Sequence, residues 1–213
     1  MQRKDLFIFD VDGTLVDAYQ AIEKSLNFTL RQLGYAVVGM QKIKRSIGHG
    51  DKNFIRTFFR KNDIENALSI YRKHHQKALL NFSKLKPNAR KVLSSLKRKN
   101  KNLAVASNRP KHFTSILLDK LDIKKYFDKI VCADEIESLK PNPKILKTIL
   151  DDLAVNRSRA VYIGDMDVDL ETARRAKVDA VFAKGGSSTL EEVKKYRNKK
   201  VISDLGEILQ IYN

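Results

Sequence analysis

Short apolar runs alternate with longer stretches of helical periodicity over most of this chain. Six runs have the length and composition of buried strands, at residues 6–9, 103–106, 130–133, 160–163, 180–183 and, more weakly, 201–202. The stretches between them carry apolar residues at helical spacing, as in Ile145, Leu146, Ile149, Leu150 and Leu153. Strands that alternate with helices predict βαβ units, so we expect an α/β fold whose mostly parallel sheet is covered on both faces.

Residues 16–84 interrupt this alternation. They contain helical stripes, such as Ile22, Leu26, Leu30 and Leu33, but no convincing strand. We therefore predict an all-helical insertion between the first strand and the rest of the sheet. The predicted domains are a core of residues 1–15 and 85–213 and a helical domain of residues 16–84.

Composition excludes several other classes of protein. The chain has 213 residues, 42% of them hydrophobic, which is enough to bury a core. Its one cysteine, Cys132, excludes an internal disulfide. Because no apolar run approaches the roughly 18 to 20 residues of a membrane helix, we expect a cytoplasmic protein without a membrane partner.

The chain is strongly basic. It has 42 Lys and Arg against 25 Asp and Glu, so the net charge is 42 − 25 = +17. Residues 16–84 contribute 13 − 5 = +8 of this total. The excess is compatible with a nucleic-acid or membrane surface, an anionic small substrate, or a solvated lysine-rich surface, and charge alone does not choose among them.

Two carboxylates follow the first predicted strand directly, in Asp10-Val11-Asp12-Gly13-Thr14. Burial and mutual repulsion both oppose ionisation of such a pair unless a cation or hydrogen-bond donors compensate. Ligands of open α/β sheets bind beyond the carboxyl ends of the strands. The motif therefore predicts a site that contains positive charge.

Polar residues also follow the other predicted strands. Ser107 and Asn108 come after the second run, Lys140 some residues after the third, and Gly164-Asp165-Met166-Asp167-Val168-Asp169 at the end of the fourth. Carboxylates, a hydroxyl and a lysine at one sheet edge would form a metal-assisted phosphate site. Oxygen ligands without Cys or His favour Mg²⁺. A calcium loop is excluded, because Leu170 and Ala176 stand where such a loop needs Gly and Glu.

These motifs resemble those of the haloacid dehalogenase-like phosphohydrolase superfamily, over nearly the whole chain. Its four motifs appear in order, carried by Asp10 to Thr14, Ser107, Lys140, and Gly164 to Asp169. The resemblance implies a Rossmann-like core, and residues 16–84 look like the family's C1 cap. The segment Ile47-Gly48-His49-Gly50 and Ser107-Asn108-Arg109-Pro110 look most like phosphoglycolate-phosphatase-type members.

The resemblance also implies roles for individual residues. Asp10 would attack phosphorus and form an aspartyl-phosphate, and Asp12 would serve as general acid and base. A metal would be held by the Asp10 side chain, the Asp12 backbone carbonyl, Asp165 and Asp169. Ser107 and Lys140 complete the catalytic set, and the predicted substrate-binding residues are Thr14, Ser107, Asn108, Arg109, Lys140, Gly48 and His49.

We therefore expect a Mg²⁺-dependent phosphatase that hydrolyses a small phosphorylated metabolite, as a monomer or homodimer. Phosphoglucomutase-type transfer and pyrophosphate hydrolysis on the same fold stay open as alternatives. A nucleic-acid-binding protein without turnover is a hypothesis from another class. The motif set argues against it, because binding alone would not need Asp10, Asp12 and Asp165 together. His74, His75 and His112 show no ligand spacing and receive no role.

Overall fold

A computed structural model describes residues 3–197 and 199–212. Its main sheet has six parallel strands in the order β5-β4-β1-β6-β7-β8. The strands are β1 Leu6–Phe9, β4 Asn102–Ser107, β5 Lys129–Cys132, β6 Ala160–Gly164, β7 Asp179–Ala183 and β8 Lys199–Ile202. The six predicted strands are confirmed, with bounds that shift by at most two residues.

Helices cover both faces of this sheet. Phe7 and Phe9 of β1 point to one face, and Leu6 and Ile8 to the other, as the two-residue period of a strand requires. One face packs against α5 Ala89–Arg98, α6 Lys111–Lys120 and α9 Glu207–Ile211. The other packs against α7 Lys144–Asp152 and α8 Asp167–Ala176. The predicted three-layer α/β fold is confirmed.

Residues 19–82, called the helical segment below, form four helices with an apolar core of their own. The helices are α1 Tyr19–Gln32, α2 Met40–Ser46, α3 Asp51–Arg56 and α4 Ile64–Phe82. Leu26 and Leu30 of α1 meet Ile55 of α3 and Leu68 of α4 in this core. The apolar stripes that predicted helices therefore face one another.

The expected all-helical insertion needs one correction at its ends. Val16–Asp17 (β2) and Lys84–Leu85 (β3) form a two-stranded antiparallel ribbon, with Val16 paired to Leu85 and Asp17 to Lys84. Strands of two residues are too short to show an alternating pattern in the sequence. The ribbon brings the two connections of the helical segment side by side.

The register of the central strands aligns the ends that carry the motifs. Phe9 of β1 lies opposite Val105 of β4 and Ile163 of β6. The Asp10 backbone N–H then donates to the Ile163 carbonyl at 2.9 Å. The residues that follow β1, β4 and β6 therefore meet at one edge of the sheet.

Candidate active site

Four of the predicted site residues come together at this carboxyl edge. Asp10 follows β1, Asp165 follows β6, Asp169 lies in the first turn of α8, and Lys140 lies between β5 and α7. The Lys140 Nζ donates to Asp10 Oδ1 at 2.6 Å and to Asp169 Oδ1 at 2.7 Å. We call these four residues the carboxylate cluster.

The carboxylate cluster carries excess negative charge. One oxygen from each of Asp10, Asp165 and Asp169 lies within 4.8 Å of the others, and all three residues are buried. With Lys140, the formal charge is −3 + 1 = −2. Burial raises the pKa of Asp10 well above its ordinary value against the attraction of Lys140, and raises the pKa of Asp165 to about 7. This unbalanced set of hard oxygen donors fits a divalent cation.

Lys140 is held as a fixed cation. Burial by itself lowers its pKa, but the carboxylates of Asp10 and Asp169 outweigh burial and raise the pKa well above the ordinary value. The Nζ also contacts the Tyr162 hydroxyl at 3.0 Å, and that hydroxyl donates to Asp169 Oδ1 at 2.8 Å. The lysine therefore stays charged beside Asp10, where it can attract an anionic group.

Asn108 ties the Lys140 loop to the helical segment. Its Oδ1 accepts from the Lys140 backbone N–H at 2.8 Å, and its Nδ2 donates to the Gly48 carbonyl at 2.7 Å. The oxygen and the nitrogen of the side-chain amide are therefore both hydrogen-bonded to backbone groups. Its predicted contact with substrate stays a prediction, whereas its contacts in the structure position Lys140.

Asp12 does not join the carboxylate cluster through its side chain. The Arg109 Nε donates to Asp12 Oδ2 at 2.8 Å, and Arg109 Nη2 donates to Asp12 Oδ1 at 2.5 Å. The Arg109 backbone N–H donates to the Ser107 Oγ at 3.1 Å. Asp12, Ser107 and Arg109 therefore share one wall of the site, beside Asp10.

The Asp165 carboxylate receives donors from three parts of the chain. Thr14 Oγ1 donates to its Oδ1 at 2.9 Å, the Ser187 backbone N–H donates to its Oδ2 at 2.7 Å, and the Tyr19 hydroxyl donates to the same oxygen at 3.4 Å. A Cβ at Gly186 would overlap this carboxylate. Sequence reasoning missed Gly186 and Ser187, although both closely follow β7 and its strand end offered the signal.

A cleft that is partly open to solvent lies between the site and the helical segment. Asp10, Asp12, Ser107 and Lys140 line its floor, and its upper walls are mostly apolar, formed by Ile22, Ile47, Phe54, Tyr71 and Phe113. The floor is therefore charged, and much of the wall is apolar. This arrangement can hold a phosphoryl group at the floor and a small organic group above it.

Of the predicted segment residues, Gly48 lines the cleft, whereas His49 is exposed and faces the grooves beside it. The histidine that lines the cleft is His75, which is 2% exposed. Its Nε2 lies 2.8 Å from Arg109 Nη1. No role was predicted for His75, and the structure places its buried ring in the cleft beside Arg109. Its position in the apolar stripe of α4 was the signal that it points inward.

Within the described part of the chain, every helix is too short or too polar to cross a membrane.

Comparison with known proteins places this geometry in a family. Residues 7–183 match the family model described as haloacid dehalogenase-like hydrolase. A phosphoglycolate phosphatase of Aquifex aeolicus is 30% identical over 181 residues, which cover 85% of each chain. A protein of Caldanaerobacter subterraneus named "Putative pyrophosphatase PpaX" is 29% identical over 205 residues, covering 96% of this chain and 92% of that one.

A solved structure shows the same fold over the full length. The crystal structure of a predicted phosphoglycolate phosphatase from Haemophilus somnus superposes with a TM-score of 0.94, covering 100% of both chains at 20% identity. The match includes the helical segment as well as the sheet. Fold, motif order and sequence relatives agree, and the chain belongs to the haloacid dehalogenase-like hydrolase family, as a phosphatase that resembles phosphoglycolate phosphatases.

Proposed function

We propose that this protein is a Mg²⁺-dependent phosphatase that hydrolyses a small phosphate monoester, with phosphoglycolate as the first candidate substrate. One observation carries the proposal. The buried carboxylate cluster has a formal charge of −2 and adjoins the cleft between the sheet edge and the helical segment. A divalent cation would balance that charge, and Lys140 would attract the phosphoryl oxygens.

The residues fit the metal that the family resemblance implies. The side chains of Asp10, Asp165 and Asp169, with the backbone carbonyl of Asp12, would hold Mg²⁺. When bound, the ion supplies positive charge that stabilises the phosphoryl oxygens. Thr14 and the Ser187 backbone N–H orient Asp165 through the hydrogen bonds described above.

Two carboxylates divide the chemistry. A carboxylate oxygen of Asp10 forms a bond to phosphorus while the bond from phosphorus to the leaving oxygen breaks, which yields an aspartyl-phosphate. Asp12, which must take up a proton before this step, donates that proton to the leaving oxygen and becomes the carboxylate that pairs with Arg109. In the second step Asp12 takes a proton from water, the water oxygen bonds to phosphorus, and the Asp10 carboxylate departs. Ser107 and Lys140 hold the phosphoryl oxygens in both steps.

The helical segment supplies the leaving-group side of the site in this proposal. Residues 16–84 act as a cap domain, and Gly48 and Arg109 contact the substrate from the cleft. His49 would contact substrate at the cleft mouth.

Pyrophosphate hydrolysis is the second candidate function. The name of the Caldanaerobacter subterraneus relative favours it. The carboxylate cluster, which includes Lys140, would serve the same roles, with phosphate as the leaving group. The cleft's apolar walls favour an organic leaving group instead.

Release of free phosphate tests the proposal. The purified protein with Mg²⁺ is expected to hydrolyse phosphoglycolate faster than pyrophosphate or glucose phosphates, and Asp10→Asn is expected to lower kcat by more than about 10³-fold. Asp167→Asn is the matched control, since Asp167 lies in the same motif but pairs with Lys195 at the surface. Full activity in Asp10→Asn would contradict the nucleophile assignment, and transfer of phosphate to a sugar without release would indicate a mutase.

We further propose that the protein acts in the cytoplasm as a monomer or homodimer. Light scattering coupled to size-exclusion chromatography measures the oligomeric state directly. A larger assembly would contradict that part of the proposal.

A further inference from the structure

A chain of hydrogen bonds connects the helical segment to Asp12. Asp12 accepts two hydrogen bonds from Arg109, and the remaining terminal nitrogen of Arg109 lies 2.8 Å from His75 Nε2. The other ring nitrogen of His75 lies 3.1 Å from the Ser25 Oγ. Ser25 Oγ donates to the Ala21 carbonyl at 2.8 Å. This chain of hydrogen bonds therefore begins at Ser25 in α1, passes through His75 in α4 and Arg109 after β4, and ends at Asp12.

The direction of each hydrogen bond follows from chemistry. A guanidinium has no acceptor atom, so His75 Nε2 must accept from Arg109 and carries no proton. The proton of the neutral ring is then on Nδ1, which donates to Ser25. Burial, with the nearby charge of Arg109, lowers the pKa of His75 well below its ordinary value, which agrees with a neutral ring.

Packing holds the ring in this orientation. The His75 ring stacks on Tyr71, with centroids 4.8 Å apart, and meets the edge of Phe113 at 5.3 Å. His75 and Arg109 are 2% and 9% exposed, so water does not compete freely for their hydrogen bonds. The acceptor that Arg109 meets is therefore fixed in space.

Arg109 in turn fixes the carboxylate of Asp12. Its planar fork binds both carboxylate oxygens, which sets the plane and direction of the group. Each carboxylate oxygen has a second lone pair, so this contact leaves a position for the transferable proton. Without an acceptor at His75, Nη1 of the guanidinium loses its fixed partner, and the orientation that Arg109 gives to Asp12 is held less firmly.

We propose that His75 is a positioning residue through which the helical segment holds Arg109, and thereby the acid–base carboxylate of Asp12, in line with the leaving-group oxygen. This rests on the proposed phosphatase function, in which Asp12 protonates that oxygen. His75 touches neither substrate nor metal in this role. The helical segment then contributes to the chemistry itself, in addition to covering the cleft.

The test compares two small substrates that differ in their need for an acid. Phosphoglycolate releases an alkoxide oxygen that must be protonated, whereas acetyl phosphate releases acetate, which departs without a proton. His75→Leu removes the acceptor and is expected to lower kcat/KM about tenfold for phosphoglycolate and less than about twofold for acetyl phosphate. The value of kcat/KM reports the step in which the leaving group departs.

Rescue and control variants separate positioning from folding. His75→Gln, whose amide oxygen can accept from Arg109, is expected to restore most of the loss. His112→Leu is the same change at an exposed histidine on α6 and is expected to leave both substrates unaffected. If His75→Leu does not fold, Ser25→Ala removes the partner of Nδ1 and is expected to give the same substrate-selective loss, to a smaller extent.

Asp12→Asn distinguishes failure of this inference from failure of the proposed function. It should lower kcat/KM far more for phosphoglycolate than for acetyl phosphate. If phosphoglycolate is not hydrolysed at all, the proposed function fails; if it is hydrolysed but Asp12→Asn shows no such difference, the acid–base role of Asp12 fails, and the positioning role of His75 fails with it. If Asp12→Asn shows this difference between substrates, three results for His75 would overturn the positioning role alone. These are an equal loss of activity on both substrates in His75→Leu, no loss in His75→Leu, and no recovery of activity in His75→Gln.

Discussion

Two groups of buried charge adjoin the same cleft, the carboxylate cluster and the pair of Asp12 with Arg109. Their charges are balanced in different ways. The carboxylate cluster is built from the sheet edge and has a formal charge of −2. Asp12 and Arg109 form a neutral pair that is completed by a histidine of the helical segment. The first group needs a cation from outside the chain, whereas the second needs another part of the chain.

From this difference we expect the sheet edge and the helical segment to contribute differently to the reaction. In the proposed reaction, the sheet edge would hold the metal and the phosphoryl group, and every substrate carries a phosphoryl group. The contact with the helical segment would orient Asp12, which would protonate the leaving oxygen, and the leaving group differs among substrates. A substitution at the sheet edge should therefore lower the rate of hydrolysis equally for all substrates. A substitution at the contact with the helical segment should lower it for some substrates more than for others.

Removal of Lys140 should have the largest effect. Lys140→Met leaves three buried carboxylates without their cation, so the metal-free protein is expected to lose about 3–5 kcal/mol in the free energy of unfolding. Activity should fall more than about 10³-fold on every substrate, because the phosphoryl group also loses its lysine. Urea unfolding and phosphate release measure the two effects.

Lys129→Met is the control for this change. Lys129 pairs with Asp152 at 2.5 Å, but the two side chains are 38% and 40% exposed. Such a pair contributes about 0–1 kcal/mol. Equal destabilisation by the two variants would show that the carboxylate cluster does not depend on Lys140 for balance.

A methyl group at Gly186 should have an intermediate effect. Gly186→Ala places a Cβ where the Asp165 carboxylate lies, so that side chain must move away from the metal position. We expect metal affinity to fall about 10- to 100-fold, with a matching loss of activity at low Mg²⁺. Titration of activity with Mg²⁺ measures the shift.

Gly39→Ala is the matched change in the helical segment, where open space surrounds the position of the added Cβ. It is expected to leave metal affinity and activity unchanged. An unchanged Mg²⁺ titration in Gly186→Ala would mean that Asp165 does not hold the metal as proposed.

The pH dependence of metal binding should be the smallest of these effects. The metal binds the carboxylate form, and the Asp165 pKa of about 7 means that below this pH a proton must be displaced first. Affinity for Mg²⁺ is therefore expected to be about tenfold weaker at pH 6 than at pH 8, or roughly 1.4 kcal/mol. The increase in Tm with added Mg²⁺ should be larger at pH 8.

Asp165→Asn serves as the control for the pH experiment. The amide has no proton to displace and binds metal weakly, so the increase in Tm should be small at both pH values. An equal increase in the unsubstituted protein at pH 6 and pH 8 would contradict the assignment of the raised pKa to a metal ligand.

Much of the sheet edge was predictable because its signals are local. Asp10, Ser107 and Asp165 each stand directly after an apolar run or at its end, and parallel strands bring such ends together. The ribbon of β2 and β3 was not predictable, since two-residue strands carry no periodicity. Gly186 and Ser187 could have been singled out by their position after β7, but no local pattern shows that they contact the Asp165 carboxylate.

The order of strands, helices and motifs along the chain was enough to determine the α/β core, the position of the helical segment and the family. These properties depend on local periodicity and on motif spacing, which the linear chain contains in full. The partner of Asp12, the inward orientation of His75 and the exposure of His49 were decided by tertiary packing. Each depends on which helix faces which strand end, a relation between residues too distant along the chain for a local pattern to record.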